Sequence, residues 1–261
     1  MVEELIRLAA RAGDAIAEIY HSDNFEVEKK QNNSPLTKAD KLSHDIICKG
    51  LLQLQRYPIL SEEGDFPAWS VRKLWSRYWL VDPLDGTKEF IKCSGEFTVN
   101  IALVEDGKPS LGVVYAPIKK LMYFGGEKYG AYKQCGPASE PTPITVSPPP
   151  RHGNWKVVGS RSHESDGLRD FLKRFPKYEI VSLGSSLKIC MVAEAAADIY
   201  PRFSPSSEWD TAAGQAVLEG AGGVLLNWET LAPLAYNTKE SLLNPHFIAC
   251  AKVSEAWLPE A

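Results

Sequence analysis

The sequence predicts a mixed α/β fold, with an α+β N-terminal half and an α/β C-terminal half. From Phe97 onward the first half carries apolar residues at every second position, which indicates antiparallel strands joined by short turns. Beyond residue 153, strand-like and helix-like segments alternate, which is typical of an α/β layer with largely parallel strands. Residues 136–153 hold six of the eighteen prolines and are predicted to connect the two halves. We therefore predict an N-terminal subdomain over residues 1–145 and a C-terminal subdomain over residues 146–261.

The first half is predicted to begin with two helices. Apolar residues recur at helical spacing in the N-terminal segment, which predicts an amphipathic helix that packs on the core. These residues are Leu5, Ala9, Ala12, Ile16 and Ile19. A second helix is predicted to begin after Thr37, because Thr37 and Asp40 have the spacing of a capping box. Strands are then predicted in "YPILSEEG", "YWLVDPLDGT", "EFTVNIALV", "SLGVVYAP", "KLMYFGG" and "GAYK".

The second half is predicted to alternate between strands and helices. The predicted strands are "WKVVGS", "YEIVSLG", "DIYPRF", "GGVLLNW" and "HFIACA". The predicted helices are "HESDGLRDFLKRF", "SLKICMVAEAAA" and "DTAAGQAVLEGA".

The composition narrows the class of protein. Of the 261 residues, 44% are apolar and 24% are charged, and the net charge of −4 is ordinary for a globular protein. Such a balance argues against nucleic-acid binding and against a polybasic membrane patch. No stretch approaches the roughly 20 apolar residues of a membrane span. Five scattered cysteines and the lack of signal-peptide regions predict a cytoplasmic location.

The segment "WLVDPLDGTKEF" is the first candidate for a functional site. Pro83 biases Asp82 toward an extended conformation, and Gly86 permits a positive φ. Asp82 and Asp85 would then flank a strand-to-helix turn, where carboxylates can hold a cation and backbone N–H groups a phosphate. An ordinary surface turn, with Asp85 capping the helix, is the alternative.

Other acidic residues are also predicted to lie at strand ends. Glu62 and Glu63 follow one short strand, and Asp210 begins a helix after another. Ligands of α/β sheets bind at the carboxyl ends of strands, and several carboxylates together suit Mg²⁺. Taken singly, Glu62 and Glu63 could be solvated loop residues, and Asp210 and Asp40 could serve only as helix caps.

The order of the motifs resembles that of a known family. The motifs are "LSEEG", "VDPLDGTKEF", "EFTVNIAL", "GVVYAP", "SRSH", "GSSLK", "YPRF" and "WDTAAG". Together they resemble the lithium-sensitive, magnesium-dependent phosphatases of the inositol monophosphatase superfamily. "DGTKEF" and "GSSLK" are most similar to the CysQ-type 3′(2′),5′-bisphosphate nucleotidases within it. The resemblance implies a layered α/β/α/β/α sandwich of the inositol monophosphatase and fructose-bisphosphatase type.

The resemblance also implies roles for particular residues. The implied metal ligands are Glu62, Asp82, Asp85, Asp210 and the backbone carbonyl of Leu84. The implied catalytic residues are Asp40 and Thr87, which position the attacking water, together with Glu62. The implied substrate-binding residues are Gly86, Thr87, His163, Ser185, Lys188, Arg202 and Asp210. Lys188 could instead be a surface side chain that covers apolar residues with its stem, and His163 an ordinary loop histidine.

By the same resemblance, the protein is expected to bind two or three Mg²⁺ ions and to be inhibited by Li⁺. The expected reaction removes the 3′-phosphate of adenosine 3′,5′-bisphosphate and gives AMP, and 3′-phosphoadenylyl sulfate is a further expected substrate. This would connect the protein with sulfur assimilation, as a monomer or weak homodimer without nucleic-acid partners. The alternatives are an inositol or sugar phosphate phosphatase with the same metal site, and a binding protein without catalytic activity.

Overall fold

Helices and strands follow one another in nearly the order that the sequence predicts. The computed structural model describes residues 1–22, 27–29, 35–136, 138–150, 153–160 and 166–258. In these ranges the helices are α1 (Val2–His21), α2 (Lys38–Leu54), α3 (Trp69–Arg72), α4 (Thr87–Ile91), α5 (Asp166–Leu172), α6 (Leu187–Ala193) and α7 (Glu208–Gly220). The strands of the first half are β1 (Glu28–Lys29), β2 (Pro35–Leu36), β3 (Ile59–Ser61), β4 (Arg77–Asp85), β5 (Thr98–Glu105), β6 (Lys108–Ala116), β7 (Leu121–Gly126), β8 (Gly130–Cys135) and β9 (Thr142–Pro143). Those of the second half are β10 (Trp155–Ser160), β11 (Tyr178–Leu183), β12 (Ile199–Arg202), β13 (Val224–Asn227) and β14 (Phe247–Cys250).

The first half forms a seven-stranded sheet in the order β3-β4-β5-β6-β7-β8-β9. β3 and β4 pair in parallel, and every later pair is antiparallel. The predicted antiparallel meander is therefore confirmed. β1 and β2 pair separately as a small antiparallel ribbon.

The second half forms a five-stranded sheet in the order β11-β10-β12-β14-β13. β10 is parallel to β11 and to β12, whereas β14 is antiparallel to both of its neighbours. The expectation of largely parallel strands is thus only partly right. A parallel neighbour needs a crossover connection, usually a helix, and residues 228–246 between β13 and β14 contain none.

The helices and sheets are stacked in five layers, and three clusters of buried residues fill the space between these layers. α1 and α2 cover one face of the first sheet, where Leu5 and Ile47 pack with Val81 and Ile101. In α1, the predicted residues Leu5, Ala9, Ala12 and Ile16 are buried and Ile19 is half-buried. The sequence of layers begins as the resemblance implies, with helices on a sheet.

The middle and outer layers complete the sandwich. α6 and α7 lie between the two sheets, where Leu187 and Val217 share a core with Val114 and Leu225. α5 covers the outer face of the second sheet, and its Phe171 packs in a third core there. The arrangement is α/β/α/β/α, so the predicted fold is confirmed. Because both halves contribute to the middle core, the boundary between residues 145 and 146 stays a prediction.

The contact between α7 and the first sheet depends on a glycine. A methyl group on Gly112 of β6 would lie 2.3 Å from the backbone oxygen of Ala213 in α7. Only a residue without Cβ allows this approach, which seats the N-terminal turn of α7 beside the end of β4. Among the described helices, none is both long and apolar enough to span a membrane.

Candidate active site

The turn that carries Asp82 and Asp85 is built on a β-bulge. Asp82 pairs with Asn100 and Asp85 with Thr98, so β4 has one residue more than β5 between these pairs. Pro83, which cannot donate a backbone hydrogen bond, lies in the bulge. A bulge bends the strand and redirects its side chains, and here it redirects the two aspartates toward the same side.

The turn ends at Gly86 as the sequence predicts, but the residue that caps the following helix is not Asp85, which was the alternative prediction. Gly86 has φ +98° and is the N-cap residue of α4, so the positive φ expected of it is confirmed. Asp85 is therefore not the cap, and its carboxylate is available for other contacts. Ser43 of α2 donates a hydrogen bond to the carbonyl of Pro83 at 2.7 Å and so fixes the turn against the helix.

Carboxyl groups from distant parts of the chain meet beside this turn. Carboxylate oxygens of Asp82, Asp85 and Asp210 all lie within 4.8 Å of one another. Glu62, which follows β3, shares a hydrogen bond with the Asp82 carboxyl. Leu84 N donates to Asp82 Oδ1 at 3.0 Å, which holds that side chain in place.

The crowding of these acids perturbs their ionisation. Burial, and then the charges of Glu62 and Asp85, raise the pKa of Asp82 well above its usual range. Burial and the charge of Asp85 also raise the pKa of Asp210 to about 8. These groups cannot all ionise together without a compensating cation. A donor set made of carboxylate oxygens suits a hard divalent ion such as Mg²⁺.

Asp40 and Thr87 form a second part of the site. Asp40 is buried at the start of α2, where Oδ2 accepts hydrogen bonds from Thr37 N at 2.8 Å and Thr37 Oγ1 at 2.5 Å. The predicted capping box is confirmed. On its other side, Asp40 Oδ1 accepts from Thr87 Oγ1 at 3.1 Å, so the cap residue also reaches the aspartate turn.

Asp210 is positioned in the same way. It is the third residue of α7, and its Oδ2 accepts a hydrogen bond from Ser207 N at 2.9 Å in a second capping box. Asp40 and Asp210 were each open to two interpretations in the sequence, as a helix cap or as part of a site. The capping role is confirmed for both residues, and both carboxylates also lie at the candidate site, where their function stays a prediction.

Two polar residues that the sequence interpretation missed tie the halves together. Ser186 N donates to Asp85 Oδ2 at 2.6 Å, and Ser186 Oγ lies 2.7 Å from both Asp85 Oδ2 and the Asp210 carbonyl. Asn100 Nδ2 donates to Ser186 Oγ at 2.8 Å. The available signals were weak: Ser186 adjoins the predicted Ser185, and Asn100 lies at an alternate position of a strand that is apolar at every second residue.

A cleft opens beside the acidic group and brings most of the remaining predicted residues together. Among its lining residues are Asp85, Gly86, Ser185, Lys188, Arg202 and Asp210. Ser185 has φ +52°, and its buried Oγ has no hydrogen-bond partner among the described residues. His163 lies outside the residues that the structure describes. The cleft thus joins the acidic group to hydroxyl and cationic side chains from the second half.

Lys188 is the unusual cation of this cleft. Only 6% of its surface is exposed, so it is not the surface lysine that the sequence left open. Its Nζ lies 5.7 Å from the centre of the Tyr200 ring. Within the described part of the chain, its ammonium group has no hydrogen-bond acceptor and no ion-pair partner. Lys188 is thus a largely buried residue whose ammonium group lines the cleft without a described counter-charge, and this position favours an anionic ligand.

Arg202 is held in place by the loop before α7. Its Nε donates to the Ser204 carbonyl at 3.2 Å, and its Nη2 donates to the Pro205 carbonyl at 2.9 Å. Burial alone would lower the pKa of Arg202, but neighbouring groups outweigh it and raise that pKa. Those groups are Tyr200, Asp210 and Asp85. Arg202 therefore remains a fixed positive charge at the edge of the cleft.

Fold and site together define a metal-dependent phosphatase of the inositol monophosphatase type, and the chain belongs to the inositol monophosphatase family. The sequence model of that family matches residues 1–258. The 3′(2′),5′-bisphosphate nucleotidase CysQ of Salmonella typhimurium is 49% identical over 249 residues, which cover 95% of this chain and 98% of the relative. The enzyme of the same name from Escherichia coli K12 is 48% identical over the same share of each chain.

A solved structure agrees with these sequence relatives. The crystal structure of CysQ from Bacteroides thetaiotaomicron, described as a bacterial member of the inositol monophosphatase family, is 43% identical in sequence. It superposes with a TM-score of 0.85 over 97% of each chain. The family recognised from the motifs is therefore confirmed.

Proposed function

We propose that this protein is a Mg²⁺-dependent phosphatase that converts adenosine 3′,5′-bisphosphate to AMP and inorganic phosphate. The observation that carries the proposal is that one cleft joins the Asp82–Asp85–Asp210 group to Lys188, which is largely buried and has no ion-pair partner among the described residues. A phosphate bridged by cations suits the acidic end, and a second phosphate suits Lys188. The relatives named bisphosphate nucleotidases, at 48–49% identity, support the same substrate class.

In this proposal the acidic group holds two or three Mg²⁺ ions. The ligands are Glu62, Asp82, Asp85, Asp210 and the carbonyl oxygen of Leu84. Mg²⁺ bound there would make a coordinated water molecule more acidic and would offset the negative charge of the phosphate, which repels the resulting hydroxide. The requirement of the reaction for Mg²⁺ can be tested directly, because chelation by EDTA should abolish phosphate release and added Mg²⁺ should restore it.

Asp40 and Thr87 orient the attacking water in this proposal. Asp40 Oδ1 accepts a hydrogen bond from Thr87 Oγ1 at 3.1 Å, so the lone pairs of Thr87 Oγ1 stay available for another donor. Thr87 Oγ1 can then accept a hydrogen bond from the water and fix its line of approach. The backbone N–H groups of Gly86 and Thr87 begin α4 and are proposed to bind the phosphate that is removed.

The second phosphate is proposed to bind Ser185, Lys188 and Arg202, with His163 as a further contact. Ser185 Oγ is a buried hydroxyl without a described partner, and a phosphate oxygen would satisfy it. Lys188→Met keeps the apolar stem and removes the charge. We expect a roughly 10- to 100-fold loss of kcat/KM for the bisphosphate, the range of a charge-assisted hydrogen bond.

The deciding experiment compares two substrates at saturating Mg²⁺. Purified protein is incubated with adenosine 3′,5′-bisphosphate or with inositol monophosphate, and released phosphate is measured. Faster release from the nucleotide supports the proposal, and no release from it contradicts the proposal. Preferred turnover of inositol monophosphate, with no effect of Lys188→Met, would instead support a sugar or inositol phosphate phosphatase.

Finer expectations follow from the same proposal. We propose 3′-phosphoadenylyl sulfate as a further substrate, inhibition by Li⁺, and a role connected with sulfur assimilation. The five cysteines are all free thiols, which supports a reducing compartment such as the cytoplasm. A monomer or weak homodimer is proposed as the assembly state. Titration with LiCl during the phosphate-release assay tests the inhibition.

A further inference from the structure

Glu89 is a cleft residue for which the proposed reaction has no role. It lies on α4, in the same cleft as Gly86, Ser185 and Lys188. A methyl group on Gly86 would lie 3.4 Å from Glu89 Oε2, and one on Gly184 would lie 3.1 Å from Glu89 Cγ. The Glu89 side chain therefore lies between the turn that begins α4 and the loop that carries Ser185.

The carboxylate of Glu89 has no partner within the protein as described. Among the described residues, none donates a hydrogen bond to it or forms an ion pair with it. The neighbouring acid differs in this respect: Glu96 Oε2 accepts from Gly184 N at 3.0 Å, and Glu96 Oε1 lies 3.8 Å from Lys119 Nζ. Glu96 thus has a structural role that Glu89 lacks.

A carboxylate in a cleft for phosphates needs a compensating ligand group. Its charge repels both phosphates of a bisphosphate, so it weakens binding unless the ligand donates a hydrogen bond to it. In a nucleoside 3′,5′-bisphosphate, the ribose connects the two phosphates, and its 2′-hydroxyl is the donor next to the 3′-phosphate. Glu89 lies between Gly86, at the proposed site of the first phosphate, and the loop of Gly184 and Ser185, at the proposed site of the second, so the connecting ribose would pass near it.

We propose that Glu89 accepts a hydrogen bond from the ribose 2′-hydroxyl and thereby selects ribonucleotides over deoxyribonucleotides. This inference rests on the proposed function and specifies the substrate class of the same site. A site built to hydrogen-bond a hydroxyl discriminates against a ligand without it, because the half-buried carboxylate, once covered by that ligand, is left unpaired. The same carboxylate also disfavours ligands that carry a further phosphate at that position.

The test measures kcat/KM for adenosine 3′,5′-bisphosphate and for its 2′-deoxy analogue. For the wild type we expect a ratio of about 10–100 in favour of the ribonucleotide, the range of a hydrogen bond to a charged group. Glu89→Ala should bring the ratio to about 1, while Glu89→Gln, which keeps a neutral acceptor, should give an intermediate ratio of roughly 2–10. Lys88→Ala, an exposed neighbour on α4, is the matched control and should keep the wild-type ratio.

The ratio separates recognition from damage to the fold, because misfolding lowers turnover of both substrates alike. Removing the repelling carboxylate should also leave kcat/KM for the deoxy substrate equal to or above the wild-type value. Calorimetric binding of AMP and 2′-deoxy-AMP gives a readout that needs no turnover, and the wild type should prefer AMP where Glu89→Ala does not. An unchanged ratio in Glu89→Ala, or no preference in the wild type, overturns the role of Glu89 while the phosphatase function stands. Failure of the wild type to release phosphate from either nucleotide refutes the proposed function and this role with it.

Discussion

At the scale of single residues, Asp85 is the carboxylate that connects the two halves of the site. Its Oδ2 accepts hydrogen bonds from Ser186 N and Ser186 Oγ, while its oxygens also face Asp82 and Asp210. Asp85→Asn keeps the shape and an acceptor for Ser186 but removes the charge that a metal ion needs. Outer partners of metal ligands are worth about 10–100-fold in activity, and we expect a loss beyond that range for a ligand itself. The measurement is kcat/KM for adenosine 3′,5′-bisphosphate at saturating Mg²⁺.

The fold of Asp85→Asn should survive the substitution. In metal-free buffer its melting temperature should be no lower than that of the wild type, because one charge leaves a group of mutually repelling carboxylates. Asp65→Asn removes an exposed acid from the loop after β3 and serves as the control, with unchanged activity. Wild-type activity in Asp85→Asn would contradict the proposal that Asp85 is a metal ligand.

At the scale of elements, two helix starts position the acids of the site. Asp40 and Asp210 each occupy the N3 position of a capping box, which is the third residue of α2 and of α7 respectively. The sequence spacing predicts the caps, since capping is local chemistry. Whether a capping carboxylate also faces a site depends on where the helix packs, so spacing alone left both interpretations open.

Thr37→Ala tests whether the α2 cap also serves the reaction. Thr37 Oγ1 donates to Asp40 Oδ2, opposite the oxygen that accepts from Thr87. Loss of the cap should lower the free energy of unfolding by about 1 kcal/mol. Because Asp40 loses a bond that orients it, activity should fall by about 10-fold, as for other outer partners of such sites. Thr37→Ser, which keeps the hydroxyl, should restore both quantities, and a Thr37→Ala variant with wild-type activity would confine Thr37 to helix stability.

The close packing of α7 on the first sheet at Gly112 leads to a second prediction at the scale of elements. Gly112→Ala places a methyl group against backbone atoms of α7, which cannot rotate away. Overpacking of this kind costs about 1–3 kcal/mol in the free energy of unfolding. It should also lower activity, because α7 carries Asp210 in its first turn. Denaturant unfolding and phosphate release measure the two effects.

A glycine in the second sheet provides the control for Gly112→Ala. Among the described residues, a methyl group on Gly159 of β10 would meet only the Ile180 side chain, at 3.0 Å, and Ile180 is exposed and free to adjust. Gly159→Ala should therefore keep wild-type activity. If Gly112→Ala were as active as Gly159→Ala, the close contact would not control the position of Asp210.

At the scale of the whole molecule, the sequence predicts which segments form helices and strands better than it predicts which of these elements lie side by side. Hydrophobic periodicity identifies the strands, but the antiparallel insertion of β14 depends on long-range pairing that periodicity does not contain. The acids of the site carry a motif, whereas Ser186 and Asn100 are common polar residues whose role arises only when the halves meet. The burial of Lys188 is likewise a tertiary property, because its segment is also compatible with a surface position.

The buried acids make the stability of the metal-free protein depend on pH in an unusual direction. The pKa of Asp210 is raised to about 8, and burial raises that of Glu208 to about 7. Both groups hold a proton in the folded state at a pH where the unfolded chain, with carboxyl pKa values of about 4, has lost it. Stability from these groups is therefore complete below about pH 4 and is lost as the pH rises through about 7–8.

We expect the melting temperature in EDTA to fall steadily between pH 6 and pH 8.5. Saturating Mg²⁺ should raise it most at the upper end of that range, because the ion binds the ionised carboxylates of the folded state and shifts the equilibrium by mass action. Asp210→Asn should reduce the slope in EDTA, since it removes one of the groups that titrate, whereas Asp65→Asn should leave the slope unchanged. A melting temperature in EDTA that rises with pH, or one that Mg²⁺ shifts equally at both ends, would mean that Asp210 does not belong to a group of carboxylates that binds a cation. The direction of the slope thus tests whether the fold brings together carboxylates that repel one another and whose charges a bound cation offsets.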